Sequence, residues 1–377
     1  MSEISGTIIN LIRLKAYILI RYFFRKLFYA FVVLFGVLTL VFFLFNVLPG
    51  DPARMMLDKR EDADLLKKIN KTYAFDQPLT LQYLLYLNDL SLISIHNIKQ
   101  KDSFTFLDKK KYNALEIFSF NKYTLVIKTP YLRNSFVKVG KPVNKILFES
   151  TKNTFILAIS AILFALFFGV VFGIFSALYK DTYFDKLILF ISALGMSLPS
   201  FFSAIIIAWM FGFLLHEYTG LNMTGNLYEI DDYGSGYRLC LKNLILPSVT
   251  LGIRPLSVIV QLSRDSLINV LSADYIRTAY AKGLKKYNVI TKHAIKNSLN
   301  PVITAISGWL ASMLAGAVFV EYIFAWNGLG KEIIDALNLM DLPVVMGSVL
   351  LIACFFIIIN ILVDLLYVLL DPRIKTI

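Results

Sequence analysis

Long apolar runs alternate with polar segments along this chain. Runs with few or no charged residues cover 27–49, 153–179, 187–215, 244–262, 302–320 and 342–363. Each is close to or above the roughly 20 residues that a helix needs to cross a bilayer. The bilayer core admits only backbones that satisfy their own hydrogen bonds. The pattern therefore predicts an all-α polytopic membrane protein with six transmembrane helices.

The polar segments between these runs set the expected domains. They are a basic interfacial segment at 1–26, the first span at 27–49, an outer segment at 50–152, a core of five helices at 153–370 and a tail at 371–377. In the outer segment, the helical spacings are at 61–73 and 79–92 and the β-prone runs at 104–106, 117–120 and 124–127. We therefore expect an extended outer loop of mixed α and β character.

The distribution of lysine and arginine predicts the orientation. With the N-terminus inside, the inner segments hold sixteen Lys and Arg, and the two short outer loops hold three. Cytoplasmic loops of membrane proteins carry such an excess, which also accounts for the net charge of +12. We therefore expect both termini and the 263–301 loop in the cytoplasm. The hydrophobic content of 57% exceeds the roughly 45–50% of soluble proteins, as a membrane protein requires.

Known catalytic, nucleotide and metal motifs are missing from the sequence. Gly330 and Lys331 resemble the end of a phosphate-binding loop, but Ala325 stands where its first glycine belongs and Glu332 where its Ser or Thr belongs. The three histidines lack metal-ligand spacing, and the two cysteines lie in different regions. We expect no catalytic residue, metal or cofactor, so uphill transport would draw energy from a partner or an ion gradient.

The longest polar stretch in the second half of the chain lies at 263–301. Helical spacing at 274–281 and at 289–299, with Gly283 between them, predicts a helix, a tight turn and a second helix. Seven Lys or Arg against two Asp are typical of an ordinary basic cytoplasmic loop. A helix-turn-helix that binds nucleic acid is disfavoured, because a loop held between two spans could hardly dock in a groove.

The residues of this loop resemble a known family. DYIRTAYAKGL at 274–284, followed nine residues later by HAIKNSLNP at 293–301, resembles the EAA loop of ABC-importer permeases of the dipeptide/oligopeptide family, which are binding-protein-dependent inner-membrane components. Tyr280 and Asn300 depart from the family pattern. LPGDP at 48–52 and EYIFAWNGLG at 321–330 also resemble it. Residues from about 96 to about 135 look like an insertion.

The resemblance implies a type I ABC-importer (MetI-like) permease for di- or oligopeptides, in a bacterial cell membrane. Nickel or another small solute is the alternative cargo. Implied partners are a second homologous permease, two ATPase subunits that bind the ATP, an extracytoplasmic substrate-binding protein and membrane lipid, with no nucleic acid. In that family the loop docks on the ATPase. The corresponding positions here are Ala273, Asp274, Tyr275, Arg277, Thr278, Ala279, Ala281, Lys282, Gly283 and Leu284.

A few residues inside the spans are candidates for the substrate path. Arg254 interrupts the fourth run, and an arginine in the membrane either meets water or a partner in a cavity or snorkels from a span whose edge lies elsewhere. Gly308, Ser312 and Gly316 share one face of the fifth run, which suits close helix packing or the lining of a path. A gradient-driven secondary transporter is the other functional class. It would favour inverted repeats or rows of ionisable residues in the spans.

Overall fold

The chain is mostly helical, as its apolar runs predict. The structure, a computed structural model, describes residues 24–44, 66–67, 70–71, 74–100, 103–108, 111–138, 140–230 and 236–370. Most of the predicted interfacial segment at 1–26, most of the predicted helix at 61–73, the helix stop at 48–52 and the tail at 371–377 lie outside the described residues.

The helices fall largely on the apolar runs and on the 263–301 loop. In chain order they are α1 Phe24–Leu44, α2 Leu79–Leu90, α3 Val143–Leu178, α4 Tyr183–Ser197, α5 Ser200–Ile207, α6 His216–Thr219, α7 Lys242–Leu271, α8 Asp274–Ala281, α9 Lys286–Asn288, α10 Ile295–Ser298, α11 Asn300–Gly316, α12 Val318–Ile323, α13 Leu329–Asn338 and α14 Leu342–Leu370. Two π-helical segments, Ala208–Leu214 and Val289–Ala294, continue α5 and α9.

Four of the described helices, α1, α3, α7 and α14, are long and apolar enough to cross a membrane. The predicted third span is two helices, α4 and Ser200–Leu214, bent by 110° where Pro199 interrupts the helix, and they make a fifth span if counted as one. The predicted fifth run also divides, because α11 ends at Gly316 after 17 residues and α12 begins at Val318. The described residues thus contain four or five such spans rather than six.

One compact unit comprises Phe35–Glu149 and Glu332–Leu351. Its antiparallel sheet has the order β1-β3-β2, with β1 at Ile93–Asn97, β2 at Ala114–Phe120 and β3 at Tyr123–Lys128. The first strand is not the predicted run at 104–106. Residues 93–97 pair along β3, and Phe106 forms only an isolated bridge with Asn97.

The core of this unit is aromatic. Phe42 of α1, Tyr86 of α2 and Leu350 of α14 are buried together, and the Phe42 and Tyr86 ring centroids are 5.5 Å apart. Asp341, just before α14, accepts hydrogen bonds from the Ser135 hydroxyl and from the N–H of Phe136 (3.0 Å). The segment before α3 is therefore bound to the start of α14.

The other unit comprises Met1–Leu34, Ser150–Lys331 and Ile352–Ile377. Its described part holds the short antiparallel pair β4 (Tyr228–Ile230) and β5 (Tyr237–Leu239). In this unit α3 and α7 pack closely at a pair of glycines. A Cβ added to Gly173 would lie 2.6 Å from the Cβ of Ser263, and one added to Gly169 would lie 2.7 Å from Ile259. The GxxxG pattern of α3 is therefore a packing site.

Candidate coupling loop

The helix α8 has well-defined ends. Ala273 precedes it in an extended conformation, with ψ of 149°. At its other end Gly283 has φ of +78°. The Gly283 N–H donates to the Tyr280 carbonyl (2.9 Å), and the Leu284 N–H donates to the Ala279 carbonyl (3.3 Å). These two bonds form the Schellman motif, which favours glycine at the left-handed position. The predicted helix and turn are therefore present.

One face of α8 is packed against its own chain. Ile276 is 1% exposed and Ala279 is 8% exposed, and they share a cluster with Ala177 of α3 and Leu267 of α7. Buried Val289 and Ala294 of the following π-helical segment complete this cluster. Of the ten predicted coupling residues, Ala279 therefore holds α8 in place and does not present a surface.

The opposite face of α8 is exposed. The exposed members of the predicted set are Asp274, Tyr275, Arg277, Thr278, Ala281, Lys282, Gly283 and Leu284. Tyr275 and Tyr280 are 44% and 43% exposed, and Arg277 forms an ion pair with Asp274 at 3.6 Å. The Tyr275 hydroxyl also accepts a hydrogen bond from the Asn297 side chain (3.2 Å). The exposed face of this short helix thus carries both aromatic rings and charged side chains.

A buried ion pair lies just before this loop. Arg264 of α7 donates from Nε and Nη2 to the two carboxylate oxygens of Asp185 in α4, both at 2.8 Å. Asp185 is 2% exposed and also accepts from the Ser176 hydroxyl of α3 and the Asp181 N–H. One carboxylate therefore joins three helices one turn away from Leu267, on which α8 packs. Sequence reasoning missed Asp185, although an acid in the first turn of an apolar helix is a signal for it.

Three of the four predicted path residues are exposed in the described chain. Arg254 is exposed in the middle of α7 and has no ion pair among the described residues. Gly308 and Ser312 are exposed on α11, and a Cβ on Gly308 would meet nothing within 4 Å. Gly316 is the last residue of α11. Among the described residues, Gly308 thus has no close packing partner, in contrast to Gly173. No group of His, Cys, Asp or Glu in the described ranges could hold a metal.

Comparison with known families decides what kind of protein this is. The family described as binding-protein-dependent transport system inner membrane component matches residues 169–376, and its N-terminal companion matches residues 19–102. The chain belongs to this family. It is a multi-pass inner-membrane permease subunit, and it is not an enzyme. The resemblance read from the 263–301 loop is therefore confirmed.

Similar proteins cover nearly the whole permease. The dipeptide transport system permease protein DppB of Alkalihalophilus pseudofirmus is 31% identical over 95% of this chain and 100% of its own. The di/tripeptide transport system permease protein DppB of Pseudomonas aeruginosa is 31% identical over 90% of this chain and 94% of its own. A methionine ABC transporter (MetNI) in an inward-facing conformation covers 60% of this chain and 97% of its own at 14% identity, with a TM-score of 0.49.

Proposed function

We propose that this permease imports dipeptides and short oligopeptides in an ATP-driven ABC transporter. The observation that carries the proposal is α8, which is packed on one face, exposed on the other and held by a Schellman turn. The dipeptide and di/tripeptide names of the two relatives support peptide as the cargo. The chain itself contributes transport, and two partner ATPase subunits contribute ATP hydrolysis.

The exposed face of α8 is the part that would dock on the ATPase. Closure of the ATPase dimer on ATP would then push α8 as a lever. Because Ile276 packs with Leu267, the push reaches α7, and because Arg264 binds Asp185, it also reaches α4. Helices α8, α7 and α4 therefore move as one body and switch the permease between its inward-open and outward-open forms.

The path itself lies between this chain and a second homologous permease. Arg254, Gly308 and Ser312 support this placement, because they are exposed on the single chain although they lie within apolar helices. In this arrangement Arg254 would meet a peptide carboxylate, and Gly316 would continue the small-residue stripe. An extracytoplasmic binding protein delivers the peptide from outside.

We also place six spans in this permease, with α11 as the span that its length alone does not identify. Both termini are cytoplasmic in this topology, as the Lys and Arg distribution supports. The 263–301 loop then lies on the same side as the ATPase, and the segment 50–152 lies outside.

The test is an affinity purification of this chain from gently solubilised native membranes, with partners identified by mass spectrometry. The informative variant is Gly283→Pro, because proline cannot adopt φ of +78° and loses the hydrogen bond to Tyr280. Gly220→Pro is the matched control. Gly220 also has positive φ (+62°) and donates one hydrogen bond, to His216, but it lies in a predicted outer loop.

We expect the wild type to retain both ATPase subunits and a second permease. Gly283→Pro should lower the amount of ATPase recovered about tenfold or more, which corresponds to a loss of about 1.4 kcal/mol of binding free energy. It should still recover the second permease. Gly220→Pro should behave as the wild type. Recovery of the chain without any ATPase would contradict the importer, and equal ATPase recovery with Gly283→Pro would contradict the role of α8.

A further inference from the structure

An open cavity lies within the unit formed by Phe35–Glu149 and Glu332–Leu351. Its apolar wall includes Phe42, Phe75, Leu132, Phe136, Pro343 and Met346. The polar groups on its lining are Gln82, Tyr86 and Arg133. An apolar wall with a few convergent polar groups is the usual composition of a small-molecule site.

The hydroxyl of Tyr86 is the most informative of these groups. Tyr86 is 5% exposed, and its hydroxyl has no hydrogen-bond partner among the residues that the structure describes. Burial raises the pKa of Tyr86, so the group remains a hydroxyl that can donate a hydrogen bond. Because a buried polar group without a partner is costly, this hydroxyl indicates a ligand that accepts its hydrogen bond.

The charges beside the cavity favour an anion. The Arg133 guanidinium lies 5.8 Å from the Tyr86 ring centroid. Its Nε is 3.6 Å from one oxygen of Asp89, whose other oxygen is 3.6 Å from Lys111. Lys128 donates to the Asp89 carbonyl (3.0 Å), and Asp108 is a further acid that acts on Lys111. Among the described residues, these are three cations and two acids, and Arg133 is the cation that lines the cavity.

The position of the cavity indicates the source of that anion. Phe42 lies in the last turn of α1, and Pro343 lies in the first turn of α14. Both helices are long and apolar enough to cross a membrane. Next to Phe42, Phe43 and Leu44 are 41% and 55% exposed, as lipid-facing residues are. The end of one span and the start of another lie at the depth where the hydrocarbon core meets the headgroups.

We propose that this cavity binds an anionic phospholipid. Its phosphate accepts hydrogen bonds from Arg133 and from the Tyr86 hydroxyl, and the first carbons of its acyl chain lie against Phe42 and Met346. A bound lipid of this kind would join α2 to the ends of α1 and α14. A free peptide also carries an oxyanion, and the titrations below distinguish it from a lipid.

The decisive variant is Tyr86→Phe, which removes only a hydroxyl that has no partner in the described protein. Tyr83→Phe is its matched control. Tyr83 lies one turn earlier on α2, and its ring also contacts Phe42 (5.2 Å between centroids). Its hydroxyl is already hydrogen-bonded to Thr39 (2.6 Å). Met346→Trp is a second variant that fills the cavity and leaves Arg133 and Tyr86 in place.

The assay uses the full chain, purified with its partners in mild detergent. Native mass spectrometry counts retained phospholipid, and titrations compare dihexanoyl phosphatidylglycerol, inorganic phosphate and the dipeptide Leu-Phe. We expect Tyr86→Phe to weaken binding of the short-chain lipid about tenfold, as the loss of a hydrogen bond to a charged group does. Tyr83→Phe should leave the affinity unchanged, and Met346→Trp should abolish binding.

The proposal is overturned if Tyr86→Phe binds the short-chain lipid as tightly as the wild type does. It is also overturned if Leu-Phe binds this cavity more tightly than the lipid does, which would make it a peptide subsite. Inorganic phosphate binding as well as the lipid would show that the apolar wall takes no part, and this too would contradict the proposal. Thermal unfolding of Tyr86→Phe without ligand should show no loss of stability, since no protein contact is removed.

Discussion

At the scale of single residues, Glu321 is the most unusual acid. It is 0% exposed, and its Oε2 accepts hydrogen bonds from the N–H of Gly330 (2.6 Å) and of Lys331 (3.3 Å) in the first turn of α13. These donors and the Thr154 hydroxyl lower its pKa, but burial outweighs them and raises the pKa to about 7. Glu321 therefore changes charge near neutral pH.

This raised pKa makes stability depend on pH. The folded state holds the proton more tightly than the unfolded state, whose pKa is 4.5. The stabilisation is thus complete below pH 4.5 and is lost as pH rises through about 7. We expect Glu321→Gln to remove this dependence of stability on pH. At high pH the variant should therefore escape a loss of about 3 kcal/mol in the free energy of unfolding that the wild type undergoes. Melting temperatures from pH 5 to pH 8 measure it.

Glu217→Gln is the control for this prediction, because it neutralises an exposed acid. Its melting temperature should depend on pH as that of the wild type does. If the melting temperatures of Glu321→Gln and the wild type change in parallel with pH, Glu321 does not titrate in this range.

At the scale of helices, the joint between α3, α4 and α7 is the critical element. Removing one partner of a buried ion pair leaves an unpaired charge and costs about 3–5 kcal/mol. We expect Asp185→Leu and Arg264→Met each to destabilise the permease by this amount. The double variant should lose less than the sum of the two, since apolar side chains often replace such pairs at little cost.

The double variant also tests whether the pair of Asp185 and Arg264 transmits the movement of α8 to α4. If it folds, binds the ATPases and hydrolyses ATP, but transports less peptide per ATP than the wild type, the pair transmits motion between helices. Asp265→Asn is the control, because Asp265 is exposed and binds only the remaining nitrogen of Arg264 (2.9 Å). Normal transport per ATP by the double variant would limit the pair to a structural role.

The same scale shows what the sequence could and could not predict. Apolar runs predict most of the long helices, and the position of Gly283 predicts the end of α8, because both signals are local. Strand β1 and the buried state of Ala279 depend on which segments meet in space. The same holds for Asp185, since its partner Arg264 lies 79 residues away. The break between α11 and α12 also escapes hydropathy, which continues unchanged across it.

At the scale of the whole molecule, the exposed polar and small residues of α7 and α11 require an environment. Arg254, Ser312 and Gly308 lie on apolar helices and are exposed in the described chain. An arginine facing lipid at mid-membrane is costly. A water-filled path shared with a second permease removes this cost, whereas snorkelling would place Arg254 at the headgroups.

Cysteine labelling in native membranes separates these environments. Cys240 and Cys354 are first replaced, and then Arg254→Cys, Ser312→Cys and Phe167→Cys are treated with a membrane-impermeant thiol reagent from either side. Phe167, which is 64% exposed on the long apolar helix α3, is the lipid-facing control. We expect Arg254→Cys and Ser312→Cys to react, because thiolates form in water. We also expect saturating peptide to protect both positions.

Labelling no greater than at Phe167→Cys would place both positions in lipid and remove them from the path. Labelling that peptide leaves unchanged would mean that water reaches them but substrate does not.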